Sequence, residues 1–300
     1  MNKKRKSPDK KPFDQLTITD DYMFKMVMRN PERVKPLLEM VLNKKIRKIN
    51  VIETEKTKET GYYSRGIRMD VYIEDDENTV YDVEMQTGKS RHFGKRFRYY
   101  QSAIDIDIVR KGDNIGNLKT SYIIFITTYD PFGKGWYMYP FETLCSWDPS
   151  IKINDATQWI ILNTTGTTDA KGHEVSDAVK DMLSYMNDGV PKSDYSKMLD
   201  AAVNEIKLNE ERRLEYMSIN VWAADEREVG QYSQVVSSVR DNNGLLDDDV
   251  ITKFLKIKPD TLKIIRFVIS KHPDWDDEDV AEEVLDLQDE GFDVEMAETA

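Results

Sequence analysis

Two stretches of this chain alternate apolar and polar residues without interruption, and a short polar loop joins them. In the first, Ile67, Met69, Val71 and Ile73 alternate with Arg68, Asp70, Tyr72 and Glu74. In the second, Tyr81, Val83 and Met85 alternate with Asp82, Glu84 and Gln86. Successive side chains of a strand point to opposite faces, so a period of two marks a strand with one apolar face. Paired through Asp75-Asp76-Glu77-Asn78, the two strands make a hairpin, and Asp70 lies near the far end of the face that carries Asp82, Glu84 and Gln86.

The flanking pattern sets the fold class. Thr19 or Asp20 can cap a helix that starts near Asp21. Met23, Phe24 and Val27, then Val34, Leu37, Leu38, Val41 and Leu42 beyond Pro31, recur at helical spacing. Residues 49–55 read as a strand and residues 91–111 as a helix. Residues 121–128 are nearly all apolar, as in a strand buried on both faces. A turn at 131–135 leads to further strands at 136–141 and 158–163. Helix, three strands, helix, strand is an α/β order, and the helix between the third and fourth strands is long enough for a crossover. Beyond Asp177 the chain reads as helices only. Residues 194–234 form a charge-laced helical region with a break expected near Gly230, and Asn242-Asn243-Gly244 marks a linker. Short helices follow at 249–255 and 260–269.

Composition narrows the setting. No run of about 18 apolar residues exists, so no membrane span is expected. Basic residues at the N-terminus (Lys3, Lys4, Arg5, Lys6, Lys10, Lys11) are followed by no apolar core, which argues against a signal peptide. A single cysteine, Cys145, leaves no internal disulfide and fits a reducing cytoplasm. With that cysteine and three distant histidines, His92, His173 and His272, a zinc site is not expected. The net charge of −12 conceals its distribution. Residues 274–300 hold 13 of the 55 acidic residues and no Lys or Arg, which leaves 42 acidic against 43 basic residues elsewhere. Both ends read as solvated, partly disordered termini. The sharper reading has a basic arm touching phosphates and an acidic tail competing with them.

The hairpin is also the candidate for chemistry. Glu84 and Gln86 project together, with Asp82 beside them. Carboxylates that close repel each other and one pKa rises; a bound Mg²⁺ relieves this. Mg²⁺ takes oxygen ligands and keeps several waters, so one or two carboxylates, a backbone carbonyl such as that of Met85, and a substrate phosphate complete its shell. The alternative is an amphipathic hairpin whose polar face meets solvent. Arg96, Tyr99 and Tyr100 lie at i, i+3 and i+4 on the next helix and share a face. Beside the carboxylates, the Arg can hold a phosphate, and a Tyr can bond it or pack a sugar. A helix packed on the sheet with an Arg at its rim gives the same pattern.

Taken in order, these segments resemble the recombination-promoting nuclease and transposase family of the PD-(D/E)XK nuclease superfamily, over residues 17 to 235. Asp21-Tyr22-Met23-Phe24-Lys25 is similar to the family's opening motif, and Glu53-Thr54-Glu55 to the acidic end of its first strand. Asp70 matches the first catalytic acid, Val83-Glu84-Met85-Gln86 the strand with Glu-x-Gln, and Arg96 with Tyr99-Tyr100 the Arg and paired Tyr. The resemblance implies an αβββαβ restriction-endonuclease-like core with an all-helical C-terminal extension. It further implies a Mg²⁺-dependent DNA endonuclease, with Mn²⁺ as a substitute, linked to recombination or mobile elements. Asp70, Glu84 and the Met85 carbonyl would hold metal, and Asp70, Glu84 and Gln86 would be catalytic. Arg96, Tyr99 and Tyr100 would bind DNA, with Glu39 and Glu55 as further acids. Gln86 stands where the superfamily usually has Lys; Gln can orient water but cannot take a proton. Lys89 or Lys95 could supply the missing cation.

The organisation expected is a basic disordered arm over 1–16, a nuclease-like domain over 17–240, and a small helical module over 245–290 with an acidic tail to 300. Residues 253–271 carry Lys253, Lys256, Lys258, Lys263, Arg266 and Lys271 against Asp260 alone. They read as a helix-turn-helix, or as a structural cap or homodimer element that the acidic segment masks. Beside the endonuclease stand two other functions. One is a weak or inactive relative that binds DNA or protein; the other is an interaction scaffold built on the long helices.

Overall fold

The computed structural model describes residues 11–58, 67–89, 92–109, 112–242, 246–292 and 294. Asn243, Gly244, the arm over 1–10 and the tail over 295–300 lie outside the described residues, as does the side chain of Glu55. The chain divides into two compact units, at residues 213 and 214.

The first unit is built on one sheet of β1 (Ile49–Lys58), β2 (Ile67–Asp75), β3 (Val80–Gln86), β4 (Ser121–Thr127), β5 (Met138–Phe141) and β6 (Thr157–Asn163). Their order is β1-β2-β3-β4-β6-β5. The hairpin closes as the alternation requires: β2 and β3 pair antiparallel with Tyr72 opposite Asp82 and Ile73 opposite Tyr81. From β3 to β4 the pairing turns parallel, with Glu84 beside Phe125. That reversal needs a crossover, supplied by helix α3 (Phe93–Ile108). β6 continues the parallel set, and β5 returns antiparallel at the edge.

Two helices precede β1. α1 (Asp21–Met28) ends where Asn30 caps α2 (Pro31–Leu42): the Asn30 side chain accepts the Glu32 N–H at 2.9 Å, and Pro31 takes the first helical position, where no N–H is needed. α1 packs on β2 and α2 on β1. Behind them lie α4 (Asp177–Asp188) and α5 (Asp194–Lys207). α3 covers the other layer through Phe93, Phe97 and Ile104, which pack on Tyr72, Val80, Ile123, Phe125 and Ile161. The sheet is therefore buried on both faces. Residues 11–16 are not part of a free arm, because Phe13 and Leu16 are buried in this unit.

α5 and α6 (Glu210–Asp241) are separated at Leu208 and Asn209, not at Gly230, which α6 runs through. Asn209 explains the break: its Oδ1 accepts the Arg212 N–H at 3.1 Å and starts a new helix.

In the second unit, the end of α6 packs with α7 (Asp248–Leu255), α8 (Pro259–Lys271) and α9 (Asp277–Glu290) through Val236, Val239, Ile251, Leu262, Ile265, Val268, Val280 and Val284. The acidic stretch is thus folded over 277–290. Asp276 accepts the Glu278 and Asp279 N–H groups at 2.9 Å, and the acids of the first turn favour that helix end.

Candidate active site

The hairpin register brings Asp70 and Glu84 together on the face beneath α3. Each accepts a hydrogen bond from the other strand's backbone: Asp70 N–H donates to Glu84 Oε1 at 2.8 Å, and Met85 N–H donates to Asp70 Oδ2 at 3.1 Å. This face does not meet solvent. Asp70 is 9% exposed, Glu84 3% and Asp82 0%.

α3 completes the site from above. The Tyr100 hydroxyl donates to Glu84 Oε2 at 3.1 Å, and Arg96 Nη2 lies 3.7 Å from the same oxygen. Arg96 also donates to Gln86 Oε1, and its guanidinium lies 4.8 Å from the Phe125 ring centre. Arg96 and Tyr100 reach the acids because four residues make about one helical turn. Tyr100, not Tyr99, is the phenol at Glu84; Tyr99 is 39% exposed. Gln86 is half-buried, and its amide donates to the Gly88 carbonyl.

Burial and like charge act on these acids together. Burial, and then the charge of Asp70, push Glu84 up to about 8, against the Asp70 N–H, the Tyr100 hydroxyl and Arg96. Burial raises Asp70 as well, opposed by the charge of Lys25. Asp82 rises well above the carboxylate range, through burial and then the charges of Glu84 and Asp70.

Lys25 is the residue that the strand pattern does not disclose. Its ammonium on α1 lies 3.2 Å from Asp70 Oδ1 and 2.7 Å from Asp21 Oδ1. Lys89 and Lys95, the lysines nearest Gln86 in sequence, are exposed. Glu39 turns to the loop after α2, where it accepts the Ile46 N–H at 2.8 Å and lies 3.6 Å from Lys45 Nζ. Among the described residues it makes no contact with Asp70 or Glu84.

The donor set suits a hard divalent cation. It is oxygen only, with two acids held by backbone bonds and a third whose oxygens are both buried and accept no hydrogen bond: Asp82 Oδ1 and Oδ2. Among the described residues no group of three or more His, Cys, Asp or Glu forms a ready cage. Mg²⁺ needs none, since waters and substrate phosphate fill most of its shell.

No curated protein and no solved structure matches the chain. A family model described as PD-(D/E)XK nuclease family transposase matches residues 18–248. A buried Asp-Glu pair on a β-hairpin, roofed by an Arg-Tyr helix, lies inside that span, and the chain belongs to this family.

Proposed function

We propose that the protein is a Mg²⁺-dependent DNA endonuclease, Mn²⁺ being able to substitute, and that it serves recombination or a mobile element. Membership of a nuclease family supports phosphodiester hydrolysis and DNA as substrate. The observation that carries the reading is the mutual backbone clamp of Asp70 and Glu84 beneath Arg96 and Tyr100.

Asp70, Glu84 and the Met85 carbonyl would hold the cation. Bound there, it supplies positive charge against the phosphate and a more acidic water. Arg96, whose guanidinium lies at the rim of the site, can engage a phosphate in forked geometry. Tyr100 holds Glu84 in place and does not leave it free to rotate. Gln86 orients a water and accepts no proton.

Gln86 also motivates a second reading, a nuclease-fold protein of weak or no activity that binds DNA or protein. Plasmid and single-stranded DNA, incubated with and without Mg²⁺, decide between them. Cleavage that needs Mg²⁺ and disappears in Asp70→Ala and Glu84→Ala, with folding intact by circular dichroism, is the expected result. Cleavage that persists in both variants rejects the endonuclease reading.

A further inference from the structure

Lys25 lies on α1 among Met23, Phe24, Val27 and Met28, all buried, and is itself 2% exposed. Lysine seldom reaches that burial unless it is paired, because an ammonium loses much hydration there. Its helix partner Asp21 does not account for it: an i, i+4 pair forms equally well on a wet surface, and the Asp21 side chain is 60% exposed. Asp70 does account for it. The ammonium is 3.2 Å from Oδ1 of that buried acid, which shares its site with a second acid, Glu84. Arg96 faces Glu84; Lys25 faces Asp70.

A divalent cation held by Asp70 would stand beside this ammonium on one carboxylate. Two cations so close repel, and a site shielded from water weakens the repulsion little. We propose that Lys25 is the resident counter-ion of Asp70: it aims and neutralises that carboxylate in the metal-free protein and lowers the site's affinity for a divalent cation. Metal is then taken up together with the substrate's phosphates, whose negative charge offsets the ammonium, and not ahead of them.

The inference rests on the metal-dependent reading, and Mn²⁺ calorimetry without DNA keeps the two apart. Lys25→Gln keeps an N–H donor for Asp70 and drops the charge; it is expected to bind Mn²⁺ at least tenfold more tightly than wild type. Lys25→Arg keeps the charge and is expected to stay within a few-fold of wild type. Asp21→Asn, at an exposed position, removes a competing negative charge and is expected to weaken binding severalfold. A merely structural lysine would not give tighter binding when lost. Equal or weaker binding by Lys25→Gln overturns the proposal and leaves the metal site standing. Should that variant not fold, unchanged affinity in Asp21→Asn overturns it. Absence of Mn²⁺ binding in wild type and Lys25→Gln alike removes the metal reading and this proposal with it.

Discussion

Replacing Asp82 with valine is expected to make the protein more stable in the absence of metal. Asp82 sits in the middle of the sheet, opposite Tyr72 on β2 and beside Ile123 on β4, and is 0% exposed. Neither carboxylate oxygen accepts a hydrogen bond from an N–H or hydroxyl group, and a bond to the Glu84 carboxyl forms only when one of the two acids is protonated. A buried polar group left unsatisfied costs about 1–3 kcal/mol. Valine fits a strand flanked by apolar neighbours, and burying it contributes about 1.5–3 kcal/mol relative to exposure. Its extra bulk in a packed layer costs about 1–3 kcal/mol; the mid-range values of the three effects leave a net gain of about 2 kcal/mol. For a unit of this size each kcal/mol moves the melting temperature by about 2–4 °C. Calorimetric melting of Asp82→Val in EDTA should therefore show a rise of roughly 4–8 °C. Excess Mg²⁺ should raise wild type through mass action and Asp82→Val by less, because the variant lacks the acid beside Glu84 that a bound cation would help to ionise. A lower melting temperature in EDTA refutes the reasoning, since it would mean that the carboxyl stabilises the native state.

Tyr100→Phe removes the hydroxyl that donates to Glu84; on the proposed reading, in which Glu84 would hold the cation, DNA cleavage should fall roughly 10–100-fold with the melting temperature little changed. A Cβ at Gly166 would lie 2.7 Å from Tyr137 Cα, so Gly166→Ala should cost about 1–3 kcal/mol by denaturant titration. Ser193 and Ser196 form a capping box at the start of α5; Ser193→Ala should cost about 1 kcal/mol by the same measurement.

The strands and helices around the site were legible because their signals are local. Alternation over 67–73 and 80–86 marks β2 and β3 with the correct faces, and the apolar run at 121–127 marks β4. Pro31 and the spacing of Val34, Leu37, Leu38 and Val41 mark α2. Boundaries held by single side chains were harder to read. Asn209 ends the α5–α6 run through one hydrogen bond, whereas Gly230, the better-known breaker, sits inside α6. The acidic stretch at 277–290 is a helix because Val280, Ala281, Val284 and Leu285 bury one face, and eight acids hide that spacing in a composition typical of solvated tails.

Asp70, Glu84, Gln86, Arg96 and Tyr100 could be named from sequence, because a strand period and a helix turn place each on a known face. Their environment could not. An acidic strand face reads as solvated, and only the packing of α3 over it makes Asp82 and Glu84 buried acids with raised pKa values. Lys25 lies 45 residues before Asp70 in the chain, and no local period links them. Residue order along each strand and helix sets which side chains share a face. The tertiary structure decided which faces lose water and which distant charge meets them, because burial and ion pairing depend on contacts between segments that no short-range pattern encodes.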